Sequence, residues 1–406
     1  MKHVVVVAPY FGKTMCEAIE AFLKLDSVRI GIVSQQPFEQ IPAFLKPKLQ
    51  EHYQVQSCLD SNQLKVAVQA FIEEWGRVDR LLGYLEHLQL PIAQVRSELG
   101  LPGMKAEVAE RFRDKNKMKA SLQSAGLPTA EQARIENLGD LHTFLERCGY
   151  PIVLKPLAGV GSKNTMRVSS DEDLYSALNV LMPSAQNPVQ AEAFIQGEEF
   201  TMESVCIDGS VVWQSSTYYL PGPLTVIENP WIQYCVLLPR EQYPVHAARF
   251  AEQNKQALET LGIKNGLSHM EWFQEKDGRQ LVSEVGARPP GVNIMPMMSI
   301  AHGVSFWEKW TELMVHHRWD VPERQYAVAS VFLRAQGHGN TVSNVSGLEV
   351  IKETLSPYIA AASIPKVGQP RSEHYEGDGW IILKHERTDQ LVEAVRKLLN
   401  TLQVQS

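Results

Sequence analysis

Three side chains in one short stretch, Leu267 to Asn293 (LSHMEWFQEKDGRQLVSEVGARPPGVN), have types and spacing that could do chemistry together. Glu271 and Glu284 lie on either side of Asp277-Gly278, a dipeptide that favours a tight turn, so a hairpin would bring both carboxylates to one face. Two such acids suit a divalent cation: Mg²⁺ is a hard ion, held by one or two carboxylates while substrate phosphates complete its octahedron. Arg288, four residues past the second acid, would add a planar fork for phosphate or carboxylate oxygens. A lone Glu-x12-Glu by itself reads as a surface hairpin with charged outer positions.

Three upstream segments supply other parts that nucleotide chemistry needs. Arg113-Asp114-Lys115 opens the helical pattern DKNKMKASLQSAG. Tyr150 to Pro156 (YPIVLKP) is a short apolar run ending in Lys155, followed by the Gly/Ser segment Leu157 to Asn164. A lysine leaving a strand into such a loop suits phosphate, because glycines let backbone N–H groups approach oxygens and the ammonium adds a point charge. Ser162 in that loop is a candidate phosphate cap. Val189 to Phe200 (VQAEAFIQGEEF) is an extended segment crossing a bend; its backbone would face an adenine edge while Glu199 reaches ribose hydroxyls.

In this order the motifs resemble those of the ATP-grasp superfamily: DK, YPxxxKP with its loop, ExFIxGxEF, HxE and ExxxRP, covering roughly Leu99 to Ala301. Within it the chain looks similar to carboxylate-amine ligases of the L-amino-acid ligase and carnosine-synthase type. The resemblance implies Lys115 and Lys155 on the ATP phosphates, and Glu192 with the backbone of Ala193, Phe194 and Ile195 at adenine. It places Glu199 at ribose, Glu271 and Glu284 on Mg²⁺ (or Mn²⁺), and Arg288 on the transferred phosphoryl or the substrate carboxylate. His269 and Asn293 are candidate substrate contacts. The reaction implied is amide or peptide formation through an acyl phosphate, from a small-molecule carboxylate and an amine. Bicarbonate activation by the same nucleotide site, and a non-catalytic ATP-binding protein, are the alternatives. The chain departs from the family pattern at Gly286, where many ATP-grasp enzymes carry a metal-ligating asparagine; Asn293 is the candidate substitute.

The fold implied is α/β and α+β. It comprises an N-terminal parallel α/β domain (1–112), an ATP-grasp core split into a lid (113–188) and a metal-binding half (189–322), and a small C-terminal α+β region (323–406). The first part is legible without the resemblance. Val4 to Ala8 is a β-branched run, Phe11 to Leu25 has helical spacing, Val28 to Ser34 is a second strand, and Asn62 to Trp75 is an amphipathic helix before the strand Arg80 to Leu85. The loop Pro9 to Thr14 has neither a GxGxxG nor a Walker lysine pattern and reads as a structural turn. In the last helix Leu391, Val395, Leu398 and Leu402 share one face.

Composition sets limits. With 406 residues, 44% hydrophobic and 21% charged, the chain can bury a large core. A net charge of −7 with scattered Lys and Arg gives no footprint for nucleic acid or an anionic membrane surface. The opening apolar run is too short for a signal peptide, and Cys16, Cys58, Cys148, Cys206 and Cys235 include no CxxC pair, so reduced thiols in a cytoplasmic protein are expected, homodimerisation being allowed. The adjacent pair His316-His317 faces two ways on a helix and would not share a metal. The Met295 to Met298 cluster reads as core or as an adaptable substrate pocket, and Tyr218 to Tyr234, broken by three prolines, as an irregular aromatic wall.

Overall fold

A computed structural model describes residues 1–49, 51–157, 164–229, 231–241 and 245–406. The β-branched opening forms the strand Lys2–Val7, which pairs in parallel with Val28–Ser34 on one side and Arg80–Leu82 on the other; Glu51–Gln54 completes the four-stranded sheet. Val4 to Val7 are buried on both faces, as a central parallel strand requires. The helix Ser61–Trp75 covers one face, its first turn fixed by Asp60, whose carboxylate accepts from the N–H groups of Asn62 and Gln63. On the other face the helix Lys13–Leu23 packs against Phe306–His316.

The lid sheet has four strands in the order Gln132–Ile135, Val189–Ala193, Ile152–Pro156, Met166–Val168. Leu141 and Phe144 of the helix Leu138–Cys148, and Leu174 and Ala177 of Asp171–Leu181, bury its apolar face. The sequence places the lid boundary before residue 189, and the structure differs. Val189–Ala193 lies inside the lid sheet, pairing antiparallel with Gln132–Ile135 and Ile152–Pro156. Local pattern identifies a strand but not its partner, which is why the boundary was displaced.

The remaining half is built on eight strands in the order Gln280–Gly286, Gly266–Glu275, Gly197–Ile207, Ser210–Leu220, Tyr234–Leu238, Ala327–Leu333, Gly379–His385, Ile359–Ser363. Residues after 323 therefore do not form a region of their own: Ala327–Leu333 pairs with Tyr234–Leu238 and Gly379–His385, and all seven of its residues are buried. The aromatic segment is also regular where irregularity was expected. Tyr218 and Tyr219 lie near the end of the strand Ser210–Leu220, which pairs with Gly197–Ile207 nearly along its length; Pro221 follows in the connection, and Pro223 opens the short helix Pro223–Glu228. Met295, Met297 and Met298 sit on the helix Ile294–His302 in the main hydrophobic core, so they fill space rather than line a pocket. Among the described residues no helix is long and apolar enough to cross a membrane, and all five cysteines are free.

Candidate active site

The lid sheet and the eight-stranded sheet face each other across a cavity of about 590 Å³. Lys115, Lys155, Glu199, Glu271, Glu284 and Arg288 all line it, from five separate chain segments.

The hairpin forms as its turn chemistry dictates. Gly278 takes φ 87°, and Glu271 pairs directly with Glu284 across the two strands. Cross-strand partners project to the same face, so the carboxylates enter the cavity side by side. Glu199, Thr201 and Glu203 alternate onto that face from the neighbouring strand, with Thr201 opposite Glu271 and Glu203 opposite His269. Burial and the charges of Glu271 and Glu284 push the Glu199 carboxyl well above its ordinary range. Such an excess of negative charge is what a divalent cation relieves. Among the described residues no three His, Cys, Asp or Glu side chains form a metal cage by themselves. Two carboxylates nevertheless suffice for Mg²⁺ when phosphate oxygens supply the other ligands.

Lys115 is the first residue of the helix Lys115–Ser124, whose N-cap Asp114 accepts from the N–H groups of Asn116 and Lys117. That cap fixes where the helix starts, and Lys115 Nζ then reaches Glu284 Oε1 at 2.7 Å. Lys119, one turn further on, is fully buried with its ammonium 2.8 Å from Glu192 Oε2, while Lys155 lies 2.9 Å from Glu192 Oε1. Both oxygens of Glu192 thus serve lysines. Although burial opposes ionisation, the two ammoniums hold Glu192 down at about 2, and burial lowers Lys119 to about 8.

Glu192 lines the cavity together with Ala193, Phe194 and Ile195, and there it ties Lys119 to Lys155. Ala193 and Phe194 donate their N–H groups to the carbonyls of Glu131 and Pro151. The next N–H, of Ile195, has no acceptor among the described residues and lies on the cavity wall, where a purine ring nitrogen could receive it. Gly222 gives Glu199 room, since any Cβ there would collide with its carboxylate.

His269 is gripped from two sides. Its Nδ1 is 2.8 Å from Glu203 Oε1, and its Nε2 is 3.7 Å from Glu271 Oε1 and 3.4 Å from the Tyr219 hydroxyl. Burial disfavours the imidazolium, yet the hydrogen bond to Glu203 and the proximity of Glu271 raise it to about 9, making Nε2–H a donor at the cavity wall. Arg288 donates Nε–H to Glu86 Oε2 and Nη1–H to its neighbour's carbonyl, Pro289 O, at 2.9 Å. The second oxygen of Glu86 accepts from Arg113 Nη1 at 2.5 Å.

One expected site residue is not in this group. Asn293 adopts φ 64°, donates to Ser330 Oγ at 3.1 Å and is absent from the cavity wall, so it does not replace a ligand at Gly286. Ser162 lies outside the described residues. Three contributors were not singled out from the sequence: Lys119, Glu203 and Glu86. Lys119 had a signal, because four residues after Lys115 is the same helix face. Glu203 had a weaker one, a lone acid in the run FTMESVC. Glu86 had none; it lies 202 residues from Arg288.

Paired acids, two lysines and a free backbone donor line a cavity between two facing sheets, and the class follows: residues 120–292 match the ATP-grasp domain model, and the chain carries an ATP-grasp domain and fold. Among curated proteins the chain is similar to the L-arginine-specific L-amino acid ligase of Bacillus subtilis, 27% identical over 296 residues, covering 72% of this chain and 70% of that one. It is also similar to the alanine–anticapsin ligase of Bacillus subtilis (strain 168), at 27% over 236 residues, 53% of this chain and 49% of the relative. Among solved structures the L-amino acid ligase from Bacillus licheniformis aligns with a TM-score of 0.78 over 100% of this chain and 98% of that one, at 21% identity.

Proposed function

We propose that the protein is an ATP-dependent carboxylate-amine ligase, joining a small organic acid, of the amino-acid class, to an amine and releasing ADP and phosphate in the cytoplasm. One observation carries this reading: Lys115, Lys155 and Arg288 converge with Glu271 and Glu284 on a single cavity. The similarity to L-amino acid and alanine–anticapsin ligases supports it.

A carboxylate is a poor acyl donor because its oxygen leaves badly, and a phosphoryl group converts that oxygen into a good leaving group. Mg²⁺, or Mn²⁺ in its place, would be held by Glu271 and Glu284 and would offset charge on the phosphate oxygens. Lys115 and Lys155 hold the polyphosphate, the Ile195 N–H and neighbouring backbone take adenine, and Glu199 takes ribose. Arg288 draws the substrate carboxylate beside the γ-phosphate, so that attack is in line and its entropic cost is met on binding. The resulting acyl phosphate is then attacked by the amine, and Arg288 with the His269 Nε2–H stabilises the tetrahedral oxyanion. The lid excludes water that would hydrolyse the intermediate. No side-chain nucleophile is needed.

The test is ADP release over pairs of amino acids and related acids, with mass spectrometry of the product. Amide or dipeptide formation stoichiometric with ADP supports the reading. ADP release that requires bicarbonate, or no release with any pair, counts against it.

A further inference from the structure

Arg288 sits where the chemistry would take place, and its orientation is set from another part of the chain. A guanidinium has five N–H donors. Glu86 takes the Nε–H and Pro289 O takes one Nη1–H, so Nη2 and the second Nη1 hydrogen remain without acceptors among the described residues. Those remaining donors belong to the two terminal nitrogens, the pair that grips a phosphate or carboxylate end-on. Glu86 comes from the 3₁₀ turn Glu86–Leu88 that follows the N-terminal strand Arg80–Leu82, and its side chain is 10% exposed. Arg113, the last residue of the helix Ala106–Arg113, holds the other oxygen from the opposite side. Although burial opposes ionisation, the two guanidiniums keep the Glu86 carboxyl below its ordinary range. Space for this bridge is provided by the backbone: a Cβ on Gly286 would lie 3.1 Å from Glu86 Oε2 and 3.6 Å from Arg288 Nε.

We propose that Glu86 is a positioning residue, acting through Arg288. By occupying Nε it fixes the guanidinium so that its terminal nitrogens face the transferred phosphoryl and the substrate carboxylate, and it ties that alignment to the N-terminal domain. Gly286 belongs to the same device, since its missing side chain admits the Glu86 carboxylate. The inference rests on the ligase reading for its consequence in turnover, but the alignment itself is readable by binding alone.

Two variants test it. Glu86→Gln keeps the shape and removes the charge; Glu86→Asp keeps the charge and withdraws the carboxylate by one methylene, a guard against misfolding of the first. With the full-length protein, turnover number should fall on the order of 10²-fold in both, the scale expected when a reacting group is misplaced by ~1 Å, while affinity for ADP stays unchanged. The affinities for adenylyl imidodiphosphate and ADP, each with Mg²⁺, are then measured for Glu86→Gln alone, for Arg288→Ala alone and for the double variant. Positioning predicts that Glu86→Gln lowers the preference for the γ-phosphate in the parent and has no effect once Arg288 is absent. An equal effect in both backgrounds, or unchanged turnover in both Glu86 variants, overturns the proposal. Failure of the ligase reading would look different: the parent would turn over no carboxylate-amine pair, while the binding cycle would still report on Glu86 and Arg288.

Discussion

Replacing Glu192 by glutamine removes the one carboxylate that Lys119 and Lys155 share, and its effect can be worked from the structure. In the intact trio Glu192 is depressed from 4.5 to about 2 and Lys119 from 10.5 to about 8. At about 1.4 kcal/mol per pH unit, the acid contributes roughly 3 kcal/mol at neutral pH and the buried ammonium costs roughly 3 kcal/mol. These nearly cancel, as is usual for buried ion pairs. In Glu192→Gln only the cost survives, now for two lysines, and stability should fall on the order of 3–5 kcal/mol. The pH dependence has a definite sign. A lysine whose folded pKa lies below its unfolded value binds fewer protons folded than unfolded, so stability rises with pH between the two values. The wild type should gain from Lys119 between about pH 8 and 10.5. Without Glu192 the folded value drops further, and the gain should begin below pH 8. Glu192 itself contributes above about pH 4.5 and is lost as pH falls towards 2. Urea unfolding from pH 6 to 10, with and without Mg²⁺ and adenylyl imidodiphosphate, reads the loss of stability and the lysine part of the pH profile; the nucleotide should recover more stability in the variant than in the parent, its phosphates replacing the lost anion. A variant within about 1 kcal/mol of the parent, with the same pH profile, would refute the reasoning.

Other outcomes follow from the same geometry. Lys155→Ala should weaken Mg-ATP binding roughly 10- to 100-fold, the worth of one charged hydrogen bond; unchanged nucleotide kinetics would remove Lys155 from the phosphates. Glu284→Gln keeps an acceptor for Lys115 but loses a metal charge, so turnover should drop on the order of 10²- to 10³-fold with circular dichroism unchanged, and near-normal activity would remove the metal assignment. Burial pushes the thiols of Cys58, Cys206 and Cys235 up to about 12 and raises Cys16 as well. Alkylation of the folded protein near neutral pH should therefore leave turnover intact, and stoichiometric inactivation at one cysteine, prevented by substrate, would contradict this.

Local rules made part of this molecule legible in its sequence. The β-branched run at Val4, the Asp-Gly turn between Glu271 and Glu284, and the helix start at Asp114-Lys115 each depend on residues close in the chain, and the structure has all three. Lys155 and Glu199, singled out by the ordered motifs, both line the cavity. Pairing between distant segments was not legible. Val189–Ala193 reads as a strand, but its place between Gln132–Ile135 and Ile152–Pro156 depends on a register no local pattern encodes. The strand Ala327–Leu333 reads as a fresh start after residue 323, yet pairs with one almost a hundred residues earlier. Asn293 lies close in sequence to the metal acids, but its left-handed backbone turns it to Ser330. Side-chain partnership was the least visible: the motif marks Glu192 as a nucleotide contact, and only the packed structure shows two lysines occupying its oxygens.

The central claim is that the carboxylate is activated as an acyl phosphate. Incubating the enzyme with Mg²⁺, ATP, an amine and a carboxylic acid labelled with ¹⁸O in its carboxyl group, then analysing the released phosphate by mass spectrometry, tests it directly. Transfer of one labelled oxygen per amide formed is the predicted result. Amide formation with unlabelled phosphate, or with AMP and pyrophosphate as products, would contradict it.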